Sequence, residues 1–310
     1  MGKVSKALNK AETNRETAET GEPPSLEGQQ LHHSSADEEL NIPPNLETKV
    51  DNEVVKLRRP QPQSRDIRHH SLNEEAKEGW NERLKIANEK FSGVAESFRK
   101  LRTTILYPED NKPPRTLLVL SADPHEGKSF VCANLGISLA HGVAKEALLI
   151  DCDLRRPSLH TLFGLNSSKG LVDYLSGAEE LSSLLLPTGL ANLALIPAGR
   201  PPDNPAELVA SGKMAAMMHN FSHSDTDRLV VLDSPPFLAA SETIILAQLV
   251  DKVVLVVRWK KSGRDNVKKL IEQIGREKII GIVFNAFEMN VLDKKIQGVG
   301  YHNYYSEAYY

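Results

Sequence analysis

The chain has 310 residues and a formal net charge of −3, enough for one large α/β domain with flanking segments and without the basic excess of a nucleic-acid binder. Its two cysteines, Cys132 and Cys152, lack the spacing of a disulfide framework or a zinc site. No apolar run reaches the roughly 18 residues that cross a bilayer, so a soluble protein of a reducing cytoplasm is expected.

In chain order, Val4, Ala7, Leu8 and Ala11 share one side of a short helix over about 3–11 that is too short to stand alone and suits docking. From about 12 to 80, Glu, Thr, Ser, Pro, Gln and His dominate. So few large apolar residues cannot offset the entropy of ordering, which predicts a disordered linker. Residues 1–90 are therefore read as a mostly disordered extension, 91–297 as the folded domain and 298–310 as a flexible tail. A helical pattern over about 82–106 breaks at Ser92-Gly93. Six short apolar runs follow: RTLLVLS, EALLID, NLALIP, RLVVLD, KVVLVVR and KIIGIVF. Most are separated by helical stretches, such as 127–141, 205–219, 241–249 and 262–275. Buried strands alternating with helices predict an α/β fold, a mostly parallel sheet covered by helices on both faces, with its chemistry at the carboxyl ends of the strands.

Residues 122–129, ADPHEGKS, stand between the first of these strands and the next helix. In the phosphate-loop pattern GxxxxGK[ST], backbone amides wrap a polyphosphate, the lysine adds a point charge and the hydroxyl ligates Mg²⁺. Gly127, Lys128 and Ser129 match, and Ala122 departs by one methyl. The second strand ends in ALLIDCDLRRP, placing Asp151 and Asp153 on the same side of its carboxyl end by the two-residue period. A later strand ends in RLVVLDSPP, placing Asp233 at an equivalent end. Carboxylates converging on a phosphate loop suit Mg²⁺ and can accept a hydroxyl proton.

Taken in order, SADPHEGKS, LLIDCDLR, VVLDSPP and the tail YHNYYSEAYY resemble the bacterial tyrosine kinases that control capsule and exopolysaccharide production. The stretches DLRRPSLH, GLVDYLSG, LIPAGRPPDNPAELVAS and LVDKVVLVVR are also similar to that family, and the likeness covers about residues 94–310. His125 stands where members usually carry glycine. The resemblance implies a P-loop NTPase fold with ATP and Mg²⁺ bound along Pro124, His125, Glu126, Gly127, Lys128, Ser129 and Phe130. It implies catalytic roles for Lys128, Asp151, Asp153 and Asp233. Asp151 would orient the metal and deprotonate the tyrosine, with Ser129, Asp153 and Asp233 in the metal shell. Asn285 would touch the nucleotide base, and Arg155 would hold the loop or the incoming tail.

Five of the seven tyrosines, Tyr301, Tyr304, Tyr305, Tyr309 and Tyr310, lie in the last ten residues beside glycine, asparagine and serine, without a helix or strand period. They are read as phosphoacceptors. Glu96, Arg99 and Arg102 recur every third residue and form one slanting charged strip on a helix. The resemblance makes this ExxRxxR strip a subunit contact within a homo-oligomeric ring, so that a neighbouring subunit receives the tail in trans. It also implies an inner-membrane polysaccharide co-polymerase as activator, a phosphotyrosine phosphatase as partner, and a cytoplasmic chain recruited to the inner face of the membrane. Two alternatives stand beside it: a partitioning or placement ATPase switch, whose signature lysine is replaced here by Asp123, and an ATP-sensing interaction module.

Overall fold

The computed structural model of the chain describes residues 77–89, 92–142, 146–224 and 226–286. The helix expected at 3–11, the linker up to residue 76 and the tail with its five tyrosines lie outside the described residues.

The helical pattern resolves into α1 (Glu82–Ala87) and α2 (Gly93–Leu106). The expected break falls at Ser92, whose side chain accepts from the Val94 amide and so caps α2. The central strands are β1 (Thr116–Ser121), β2 (Glu146–Asp151), β4 (Leu193–Ile196), β5 (Arg228–Asp233), β6 (Lys252–Arg258) and β7 (Ile279–Asn285). A two-residue strand, β3 (Leu186–Pro187), precedes β4. The seven strands lie in the order β3-β4-β2-β5-β1-β6-β7, and every pairing is parallel except β3 with β4.

Alternation explains why both sheet faces are covered. On β1, Leu117 and Val119 join one apolar cluster while Leu118 and Leu120 join the other, and all four are fully buried. Each such leucine contributes about 2 kcal/mol by leaving water. The first cluster holds α1, α2, α3 (Lys128–Ala140) and α4 (Leu159–Leu162) against the sheet. The second collects α5 (Leu171–Leu175), α6 (Pro205–Val209), α7 (Gly212–His223), α8 (Glu242–Leu249) and α9 (Arg264–Ile274).

Two expectations need correction. The helix read over 205–219 is two helices, because the Ser211 hydroxyl accepts from the Met214 amide and starts α7 afresh. The folded unit also begins before residue 91. Trp80 is buried, donates its indole N–H to the Thr188 carbonyl at 3.0 Å and meets Phe163 edge-on at 5.5 Å. Leu84 and Ala87 are buried beside it. A composition-based boundary misses this clip because its apolar residues are few and widely spaced.

Candidate active site

β1 feeds the phosphate loop, and α3 leaves it from Gly127, whose φ of 92° only glycine adopts without strain. No side chain caps α3 and no acid stands in its first turn, so its first amides and dipole face the loop uncompensated, which suits an anion. Ala122 is fully buried and stays out of the left-handed region, so the glycine of the standard pattern is not required there. His125 carries a φ of 61°, a conformation that glycine would adopt at lower cost. Lys128 is buried at the start of α3.

The carboxylates arrive from the other side of β1. Asp151 and Asp233 are register partners on adjacent β2 and β5, and both are fully buried. Asp151 is wrapped by backbone: one oxygen accepts from the Asp153 amide at 3.1 Å, the other from Ser158 and Leu159 at 3.1 and 3.0 Å. Burial, then the charge of Asp233, pushes its pKa well above the carboxylate range against those amides. Asp233 differs, for neither of its oxygens has a hydrogen-bond partner among the described residues. Burial drives its pKa up to about 7, with Ser129 and Lys128 pulling the other way. Asp153 is half-buried, caps the Arg156 amide at 3.0 Å and is raised by burial, with Lys128 opposing.

A buried carboxylate with both oxygens bare, close to a serine hydroxyl and a helix N-terminus, is the donor set of a hard cation. The residues present therefore fit magnesium, which Ser129 and Asp233 would hold. No three His, Cys, Asp or Glu side chains cluster as a metal site among the described residues.

The far side of the loop was not anticipated. Arg258, at the end of β6, donates its guanidinium to the His125 carbonyl at 2.8 Å. Asn266 of α9 holds the Asp123 carboxylate at 3.1 Å. Asn285, at the end of β7, donates its amide to the Glu126 carbonyl at 2.7 Å and accepts from the Ala286 amide, so it grips the loop. Glu126 is fully buried. It accepts from the Ser262 hydroxyl and from the Asp123 amide at 3.0 Å. The position of Arg258, Ser262 and Asn266 just past a strand end beside β1 was the available signal. In RWKKSGRDN, though, they read as ordinary turn residues.

Arg155 and the ExxRxxR strip both make contacts within the chain. Arg155 pairs in two-pronged fashion with the buried Glu242, at 2.6 and 3.3 Å, and so is committed to α8 rather than to the loop. In the ExxRxxR strip, Arg99 pairs with Glu96 at 2.6 Å within α2, and Arg102 donates to the Ser138 carbonyl at 2.5 Å. Ser158, unremarked in the sequence, donates its hydroxyl to that of Ser129 at 3.0 Å.

With this geometry in place, comparison with known proteins is informative. The profile of the CobQ/CobB/MinD/ParA nucleotide-binding domain matches residues 117–299. A tyrosine-protein kinase, Wzc of Salmonella typhimurium, is 33% identical over 216 residues, 69% of this chain and 29% of that protein. The chain thus spans under a third of that relative's length. The putative tyrosine-protein kinase CapB of Staphylococcus aureus is 30% identical over 220 residues, 70% of this chain and 92% of that protein. The kinase domain of the Escherichia coli tyrosine kinase ETK superposes with a TM-score of 0.59 at 27% identity, covering 67% of this chain and 82% of that one.

Proposed function

Because the chain belongs to the CobQ/CobB/MinD/ParA nucleotide-binding family and, within it, to the bacterial tyrosine kinases, we propose that it is an ATP-dependent protein-tyrosine kinase acting on its own C-terminal tyrosines. The observation that carries this reading is the bare, buried Asp233 carboxylate beside an uncapped phosphate loop. Magnesium bound by Ser129 and Asp233 supplies charge neutralisation to the polyphosphate. The loop amides and Lys128 hold the phosphates and stabilise the charge that shifts onto them.

The phenol oxygen forms its bond to the γ-phosphorus as the bond to the β–γ bridging oxygen breaks, and ADP leaves with that electron pair. Tyrosine is mostly protonated at neutral pH, so its proton must pass to a base. The Asp151/Asp153 pair takes it. Both carboxylates have raised proton affinity, and Asp153 is the one that solvent reaches. Asp151, clamped by three amides, orients the group beside it.

The phosphoacceptors are Tyr301, Tyr304, Tyr305, Tyr309 and Tyr310, supplied in trans within an oligomer that uses Glu96, Arg99 and Arg102. The ion pair of Glu96 and Arg99 within α2 is exposed and worth only tenths of a kcal/mol, so exchanging it for an intersubunit pair costs little. On this reading the chain regulates capsule or exopolysaccharide synthesis at the inner face of the membrane, with a membrane co-polymerase as activator and a phosphatase to reset the tail. The rival partitioning-type switch is disfavoured by Asp123, which is acidic and folded back onto Asn266.

Incubation with Mg-ATP followed by phosphosite mapping tests the proposal. Tail phosphotyrosine that is lost in Lys128→Met is expected. ATP hydrolysis without phosphotyrosine would favour the switch, and neither would favour the sensing module.

A further inference from the structure

A fully buried glutamate beneath a loop that must receive a polyanion is electrostatically unhelpful unless it serves another purpose. Glu126 accepts from three donors that come from two separate places. Two belong to the end of β6 and the turn after it, namely, at 3.5 Å, the Arg258 amide and the Ser262 hydroxyl. The third is the Asp123 amide at the loop's own entrance. The carboxylate therefore ties the loop's exit to its entrance and both to the β6–α9 turn. Three further bonds run in parallel: Arg258 to the His125 carbonyl, Asn266 to the Asp123 side chain and Asn285 to the Glu126 carbonyl. Between these attachments the backbone passes through two left-handed residues, His125 and Gly127, and a Cβ placed on Gly127 would lie 2.0 Å from the Asn285 amide nitrogen. Left-handed His125 is costly and persists where its surroundings over-determine it.

We propose that Glu126 is a positioning residue: its carboxylate, gripped by Ser262 and the amides of Asp123 and Arg258, sets the phosphate loop in its anion-receiving shape before nucleotide arrives. The β6–α9 turn then governs affinity for the phosphates, while the β2 and β5 carboxylates govern transfer. This rests on the nucleotide-binding part of the reading above and not on the identity of the phosphoacceptor.

The test is titration of the full chain with Mg-ADP, beside adenosine as a probe without phosphates. Glu126→Ala should weaken Mg-ADP by about tenfold, since buried donors lose their acceptor, and leave adenosine unchanged. Glu126→Gln can turn its amide so that its oxygen still accepts from the Asp123 amide and its nitrogen donates to the Ser262 hydroxyl, losing only the long bond from the Arg258 amide, so it should recover part of the loss. Ser262→Ala, which removes one hydroxyl from the turn and leaves the loop sequence intact, should weaken Mg-ADP about threefold and, in the kinase assay, raise KM for ATP more than it lowers kcat.

Unchanged Mg-ADP affinity in Ser262→Ala together with Glu126→Ala would overturn the proposal. So would equal losses for Mg-ADP and adenosine, a fall in kcat alone, or a wild-type chain that does not bind Mg-ADP. A wild-type chain that binds Mg-ADP with this pattern yet makes no phosphotyrosine would refute the kinase reading and leave the positioning role standing.

Discussion

At the scale of single residues, the most informative group is Asp233. Its pKa rises from an ordinary 3.8 to about 7 because burial penalises the charge by more than Ser129, Lys128 and the Ser234 amide offset. Between these two values the folded chain keeps a proton that the unfolded chain has released. Stability must therefore fall as pH rises through that window and level off above it. Asp151 shifts in the same direction and adds to the effect. For protein free of magnesium and nucleotide, the urea midpoint should accordingly drop between pH 5 and pH 8, and Asp233→Asn should flatten the profile. A midpoint as high at pH 8 as at pH 5 would contradict the assignment. Magnesium with ADP should restore stability at pH 8 in the wild type but not in Asp233→Asn, because the cation replaces the proton.

At the scale of elements, the N-terminal clip contributes more than its length suggests. Trp80 buries its ring and satisfies its only polar atom, and Asn88 bonds Asn134 of α3 at 2.9 Å. Truncating a buried Trp to Ala costs about 3–5 kcal/mol. Trp80→Ala should lower the urea midpoint accordingly, and a chain starting at residue 91 should be destabilised where one starting at 77 is not. Equal midpoints for the two truncations would show the clip to be dispensable.

The main strands were legible in the sequence because strands buried on both faces read as unbroken apolar runs. The element β3, with two residues and a proline, has no such period, and α4 and α5 are each under two turns. The phosphate loop, Asp151 and Asp233 were legible because each sits within a few residues of a strand end. The grip on the loop was not, since Ser262 and Asn285 reach Glu126 across 136 and 159 residues of chain. Only the sheet order brings them together.

At the scale of the whole molecule, assembly should respond to modification. Each phosphate adds about −1.5 to −2 charges, so several on adjacent tails repel. Sedimentation is expected to show a larger species for dephosphorylated than for phosphorylated protein, and Arg99→Glu should lower the mass in both states. Identical masses throughout would remove the ring.

The order of the sheet carries one more consequence. β1 lies between β5 and β6, so the loop has β5 and β2 on one flank and β6 and β7 on the other. On the proposed reading, metal and proton chemistry come from the first flank and support of the loop from the second. Because the two share no side chain, selection can loosen or tighten ATP retention by editing one surface turn, leaving the reactive centre intact. The same scaffold can thus be retuned to cells of differing energy charge.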